Sequence, residues 1–409
     1  MTIVIRFSSC VVFAPLMLKS SLAARILEPF ERKTSSGNYV REIDGLRCLA
    51  IVLVVLFHSH VFFRDGSEPV DARDLTGQDW GTILTYLPNF FIAKGWFGVQ
   101  IFFVISGMVL AIPFANHHFN GSRAPKLGNY FKRRLVRIEI PYLLTLTFFL
   151  ISAVLWEGKL FSDVIQHYLA GLFYSHTILF DGALNPLLSV AWTLEIEIQF
   201  YLLAPFLCGV FAISNQWLRR GILLLGVPMF ELVTRLLVGV HESSLWDHTV
   251  IGQMGYFLIG MLIADLFLSP GFDAWSAGGK SRAWDLVGVV AWPATFLMIE
   301  WYPGLNLKPF ALLICFLSIL CGHHLLAIFR NRWLTAVGTM CYSVYLFHNL
   351  MLYGVLRPFV FTTIQPGNWP MNFLLIVLMS VLAIALCGIL FLIIEKPFAR
   401  GQLPWRRER

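Results

Sequence analysis

The stretch Arg41–Phe63, REIDGLRCLAIVLVVLFHSHVFF, opens on charge and runs into an apolar helix that carries a histidine deep inside it. Ten residues separate Arg47 from His58. Eleven steps at about 100° each return to nearly the same helix face, roughly 16 Å further along. A cation at one membrane edge therefore looks along its own helix toward a titratable group in the apolar interior. Imidazole left in hydrocarbon without a partner is costly, so His58 is expected to face the interior of a bundle, either as a helix–helix contact or as part of a functional site.

The rest of the chain agrees with a membrane setting. Its 409 residues are 57% hydrophobic and 13% charged, with a mean hydropathy of +0.70, too apolar for a soluble protein of ordinary composition. The fold class expected is all-α, a multi-span transmembrane helix bundle. The net charge of +7 does not point to nucleic acid, because the basic residues fall in short clusters between apolar segments, where they set membrane orientation. The seven cysteines lie mostly in or beside apolar runs with no CxxC pair, so neither a disulfide framework nor a zinc site is implied.

Ten stretches are long enough to cross a bilayer as helices: residues 46–63, 96–114, 138–156, 191–212, 222–240, 250–268, 286–301, 310–329, 334–356 and 373–394. The loops between them sort by charge. One set holds Arg41 and Arg47, the cluster from Arg123 to Arg137, Arg219 and Arg220, Lys280 and Arg282, Arg330 and Arg332, and the basic tail. The alternate set holds Asp65, Glu68, Asp71, Asp74, Asp79, Glu157, Asp163, Asp181, Glu242 and Asp247. The positive-inside rule then makes both termini cytoplasmic and places the protein as a multi-pass component of the plasma (inner) membrane. Residues 1–40 read as a cytoplasmic or interfacial lead-in, with a cleavable leader as the alternative. Residues 41–397 form the membrane domain and 398–409 a basic cytoplasmic tail. Two longer outer segments, 64–95 and 157–190, are candidates for acceptor access, the second having the composition of an interfacial helix.

Four groups carry chemistry. Asn129–Leu144, NYFKRRLVRIEIPYLL, sets Arg133, Arg134 and Arg137 at helical spacing on one face at the cytoplasmic boundary, where guanidinium forks suit phosphate oxygens. Lipid head groups are the plainer explanation of such a cluster. Ala191–Pro205, AWTLEIEIQFYLLAP, holds two intramembrane acids. Thr193, Glu197 and Tyr201 share a face, and Glu197 is the candidate to orient a histidine, while Glu195 on another face is a counter-ion candidate for another span. Cys341–Asn349, CYSVYLFHN, places Tyr345 and His348 together at a depth like that of His58. Gly95–Leu110, GWFGVQIFFVISGMVL, adds Gly98 and Gly107, which permit close helix approach, and Ser106, a weak candidate nucleophile that can equally bond its own backbone. His117–His118 and His323–His324 lack a metal-like arrangement with acids, and no metal site is expected.

Taken in order, IDGLR with Arg47 and His58, FFVISG at Phe102–Gly107, RRLVRIEIP at Arg133–Pro141, WTLEIEIQFYL at Trp192–Leu202, YSVYLFH at Tyr342–His348 and EKP at Glu395–Pro397 resemble the acyltransferase-3 family of integral membrane O-acyltransferases. That family includes bacterial O-antigen and peptidoglycan O-acetyltransferases. Where its pattern has a second acid, this chain has Ile198, which aligns the family glutamate with Glu197. The resemblance implies a cytosolic acyl-CoA, most often acetyl-CoA, as donor substrate and no permanently bound cofactor. It implies an extracytoplasmic glycan or lipid-linked saccharide as acceptor, reached directly or through a separate extracytoplasmic partner or homo-oligomer within the lipid bilayer. His58, Glu197, His348 and Tyr345 would then be catalytic, and Arg47, Arg133, Arg134 and Arg137 would hold the donor. A secondary transporter of a small anionic or sugar substrate is the alternative, disfavoured by the missing internal repeat.

Overall fold

The computed structural model describes residues 22–31, 40–63, 77–238, 248–269, 272, 281–298, 306–360 and 369–398. Of the expected lead-in, a short helix α1 (Leu22–Leu27) and the turn after it are described, and the tail beyond Phe398 lies outside the described residues. The described elements are helices throughout.

Six of them are long and apolar enough to cross a bilayer: Arg41–Phe63, Tyr86–Asn120, Leu127–Leu155, Ala191–Ala212, Val250–Leu268 and Pro370–Glu395. In chain order, α2 is Arg41–Phe63 and α3 is Trp80–Ala93, which leads through a short turn into α4 (Gly98–Asn120). Next come α5 (Leu127–Leu155), α6 (Phe161–Leu172), α7 (His176–Leu179), α8 (Ala191–Leu207), α9 (Gln216–Val238) and α10 (Val250–Leu268). The four remaining expected spans are realised differently. One lies on α9, which carries Arg219, Arg220, Glu231 and Arg235, and one on α11 (Arg282–Met298), 17 residues long. The stretch 310–329 divides at Gly322 into α12 (Lys308–Cys321) and α13 (His324–Phe329). The stretch 334–356 divides into α14 (Arg332–Thr339), α15 (Cys341–Asn349) and a π-helical turn, Leu350–Leu356, which continues as α16 (Arg357–Val360). The last span is α17 (Trp369–Leu390), ending in a second π-helical turn, Phe391–Glu395.

Sequence explains these boundaries locally. Glu42 and Asp44 sit in the first turn of α2, where carboxylates favour the positive end of the helix dipole. Gly121, at φ +64°, closes α4 in the left-handed conformation common just past a helix end. Asn331 caps α14 by accepting from the Trp333 amide. Between helices, the glycines expected to permit close approach do so: a Cβ on Gly98 would fall 2.3 Å from the Ala50 carbonyl of α2, and one on Gly107 would fall 2.2 Å from the Phe257 carbonyl of α10. Side chains any larger would push α4 off both neighbours.

A buried acid, Glu42, ties the first turn of α2 to the second half of the chain, and a second, Asp44, pairs within α2. Glu42 accepts from Arg330 at 2.8 and 3.0 Å, and Asp44, fully buried, pairs with Arg47 at 2.5 Å. Removing one member of such a pair is strongly destabilising because the other charge stays buried. The lead-in docks on the same end, with Arg332 bonded to Glu31 and Phe30 stacked on Phe391 at 5.9 Å.

Candidate active site

Five helices enclose a cavity of about 130 Å³. Arg47 reaches it from α2, Phe102 and Ser106 from α4, Arg137 and Ile138 from α5, Thr193, Glu197 and Tyr201 from α8, and Cys341, Tyr342 and Tyr345 from α15. The helical face that groups Thr193, Glu197 and Tyr201 in the sequence is the one that lines it. The two guanidinium groups are held by buried carboxylates, Arg47 by Asp44 at 2.5 Å and Arg137 by Glu395 at 3.5 Å. Glu395, in the second π-helical turn, also accepts from the Ser343 amide at 3.0 Å and its hydroxyl at 2.8 Å. Arg137 is thereby linked to the start of α15. Arg133 and Arg134 lie on α5 one turn before Arg137, and their side chains lie outside the described residues.

Glu197 does not orient a histidine. Its Oε1 accepts from Ser106 at 2.8 Å and from the Tyr201 hydroxyl, and Oε2 takes no hydrogen bond from the described residues. The expectation fails because α8 turns this carboxylate toward α4, and the hydroxyls placed for it are nearer than any imidazole. Ser106, which its helical position would let bond its own backbone, instead reaches across to this acid.

His58 and His348 do not line the cavity; they meet each other. His348 Nδ1 lies 3.0 Å from the Val344 carbonyl and 2.8 Å from the Tyr345 carbonyl, which only accept, so Nδ1 carries the proton of the neutral ring. His348 Nε2 is then an acceptor, and it lies 3.3 Å from His58 Nδ1. His58 Nδ1 also lies 2.9 Å from the Val54 carbonyl, so it too is the protonated nitrogen. The lone pair of His58 is left on Nε2. The one Nδ1 proton of His58 is thus shared between a carbonyl of its own helix and a second imidazole, which together fix the tautomer.

Tyr345 bridges the cavity and this pair. Its ring centroid is 5.9 Å from that of His348, while its hydroxyl accepts from Thr193 at 2.6 Å and donates to the Val190 carbonyl at 2.9 Å. Arg47, the cavity, Tyr345, His348 and His58 therefore follow one another along the contact of α2 with α15.

The segment 157–190 folds as expected into helices beside the bundle, α6 and α7. Glu195, a counter-ion candidate in the sequence, accepts from the His176 and Thr177 amides at 3.3 and 2.9 Å and from the Thr177 hydroxyl at 2.8 Å. It tethers this segment to α8 without a cation. A second histidine pair lies here: His176, fully buried, has Nε2 2.9 Å from His167 Nδ1. Burial holds both rings below the ordinary histidine range, with His167 adding to the effect on His176. Tyr174, at φ +52°, donates to Glu139 at 2.7 Å and stacks on Tyr142 at 4.9 Å. Of the other access segment, residues 64–76 lie outside the described residues, and the remainder forms α3 and the turn after it.

Sequence reasoning quoted Asp44 and Glu395 only within the IDGLR and EKP motifs and missed three contacts: Asp44 with Arg47, Glu395 with Arg137, and His58 with His348. Asp44 stands three residues before Arg47, a spacing that helical periodicity makes readable. Nothing local marks the other two.

The family described as an acyltransferase domain, Acyl_transf_3, matches residues 40–392. A peptidoglycan O-acetyltransferase, OatA, of Listeria monocytogenes is 28% identical over 47% of this chain and 27% of its own length. The O-acetyltransferase OatA of Staphylococcus aureus is 26% identical over 42% of this chain and 25% of its own. A putative O-acetyltransferase of the same species is 22% identical over 77% of this chain and 51% of its own. The chain thus spans about a quarter to a half of the length of these relatives. No solved structure matches.

Proposed function

The chain belongs to the acyltransferase domain family, and from that premise we propose that it is an O-acetyltransferase acting on a cell-envelope saccharide, with the acyl group taken from a thioester, acyl-CoA, and the hydroxyl activated by His58. The observation that carries the reading is the tautomer of His58: an imidazole with its lone pair on Nε2, fixed by the Val54 carbonyl and by a second imidazole, beside a cavity bordered by two guanidinium groups. The names of the Listeria and Staphylococcus relatives support the acetyl group and the envelope acceptor.

The reaction needs one proton acceptor and one polarised carbonyl. His58 Nε2 removes the proton as the acceptor oxygen bonds to the acyl carbon; the carbon–sulfur bond breaks and the thiolate leaves, taking the proton from the imidazolium. Such base assistance contributes about 10²- to 10⁴-fold. His348 is a positioning residue that shares the His58 Nδ1 proton. Tyr345, its hydroxyl committed to α8, holds the ring face between cavity and histidines. Arg47 and Arg137 attract the anionic donor, with Arg133 and Arg134 further along the same helix. Glu197 balances their charge and orients the Ser106 hydroxyl toward the cavity.

The same reading carries ten spans with both termini cytoplasmic, an inner-membrane location, residues 41–397 as the catalytic membrane domain, and a glycan or lipid-linked saccharide met on the far side. The test is transfer from radiolabelled acetyl-CoA to saccharide by the full chain in proteoliposomes. Label on the saccharide, absent with His58→Ala at equal insertion, is the expected result. Saccharide left unlabelled, or equal labelling by the variant, would remove the assignment.

A further inference from the structure

Along α2, the residues after His58 lead away from the cavity, and one turn on, Phe62 shares its face. Across from it the chain leaves α15 through the π-helical turn Leu350–Leu356, an irregularity frequent at functional sites. That turn swings Tyr353 over His58: its hydroxyl donates to the His58 carbonyl at 3.3 Å, and its ring packs edge-on against Phe62 at 5.4 Å. One turn later Arg357 sets its guanidinium 5.9 Å from the Phe62 ring. Tyr353 is 36% exposed and Arg357 is exposed. At the root of the turn, Asn349 Oδ1 is enclosed with no hydrogen-bond partner among the described residues.

The geometry points to this ledge of Phe62, Tyr353 and Arg357 as the binding face for the acceptor, a saccharide bearing an anionic group. The inference rests on the acyltransferase reading and deepens it. A pyranose presents a flat C–H face that lies against an aromatic ring, and the tyrosine edge combines apolar area with a polar tip. A guanidinium takes a carboxylate or phosphate through two parallel hydrogen bonds. The ledge stands on the opposite side of the histidine pair from Arg47 and Arg137. Donor and acceptor would therefore approach His58 from opposite ends of α2, each met by its own cations. The anion can be a ring carboxylate or the diphosphate of a lipid carrier; both offer the same oxygen pair.

The full chain in detergent, with intrinsic fluorescence as the binding signal and labelled acetyl-CoA for transfer, separates the alternatives. Three probes serve: chitotetraose as the neutral sugar, tetragalacturonate for ring carboxylates, and undecaprenyl-diphosphate-linked N-acetylglucosamine for the lipid carrier. Arg357→Gln should weaken binding of at least one anionic probe about tenfold while changing chitotetraose by less than about twofold, and which probe responds identifies the source of the anion. Tyr353→Phe should bind like the parent and Tyr353→Ala should weaken all three, with donor KM unchanged. Equal effects of Arg357→Gln on neutral and anionic probes, or no effect, would leave these residues as membrane-interface anchors and overturn the inference. Binding that follows this pattern without any transfer would instead refute the acyltransferase reading and spare the ledge.

Discussion

His58 meets His348 across 290 positions of sequence, in the last third of α2 and beside the cavity; His167 meets His176 nine positions on, in the segment outside the spans, with Phe180 stacked on the His176 ring at 4.4 Å. The hydrogen bonds within the two pairs are alike. In each, a ring whose Nδ1 donates to a backbone carbonyl accepts at Nε2 from its neighbour. Their surroundings differ. The first pair connects through Tyr345 to a cavity with two arginines, whereas the second is bounded by Phe180, by Asn185, which donates to the His167 carbonyl, and by the Glu195 network. An imidazole pair is thus no signature of catalysis by itself; what the free nitrogen can reach decides its use.

The comparison breaks most directly at His58. His58→Gln should lower the transfer rate by about 10²- to 10⁴-fold, while His167→Gln leaves it within about twofold; equal losses in steady-state assays would erase the distinction. His348→Phe keeps the ring volume and removes one of the two acceptors at His58 Nδ1, leaving the Val54 carbonyl. Loss of such an orienting partner should lower kcat about 10- to 100-fold with both KM values little changed, and a purely structural role would instead show as lost thermal stability at unaltered kcat. Arg137→Gln should raise donor KM about tenfold with acceptor KM unchanged, as initial rates at varied acyl-CoA would reveal.

On the other side of the comparison, Glu195→Ala should cost about 1–3 kcal/mol, the cost of leaving buried amides unsatisfied. The loss should appear as faster hydrogen exchange in residues 161–180, with transfer less affected than by any of the histidine changes at His58 or His348. The smallest effect is on pH. His167 and His176 have pKa values lowered in the folded protein, so the unfolded segment binds more protons and stability rises with pH. The segment should be fully stable above the unfolded histidine pKa of about 6.5 and loosen as pH falls below it. Exchange protection of residues 161–180 at pH 5 and 7.5 measures this, and His167→Gln with His176→Gln should flatten the difference.

Much of the site was legible locally. Arg47 and His58 are indeed on one helix and face one neighbour, α15; Thr193, Glu197 and Tyr201 do line one surface; Gly98 and Gly107 do sit at close crossings. These follow from a period of 3.6 residues and from side-chain size, both properties of short stretches. The errors share a cause. The face that Glu197 shares with Thr193 and Tyr201 does not say which helix it meets, because rotation about the helix axis stays open. That rotation sends Glu197 to Ser106 and Tyr201, and His58 to His348. The breaks at Gly322 and Met340 and the π-helical turns escaped because hydropathy continues across them.

By itself the sequence determined that the chain is helical and membrane-embedded, which helix faces carry polar groups, and where cations gather, because the bilayer requires backbone hydrogen bonds to close within each span and charge to stay at its edges. Only the tertiary structure decided which polar face meets which: Asp44 and Glu395 on the arginines, Glu195 on backbone amides, and one imidazole on another. Those contacts join residues up to 290 positions apart, and they depend on helix rotation and crossing, which packing across the whole bundle sets at once.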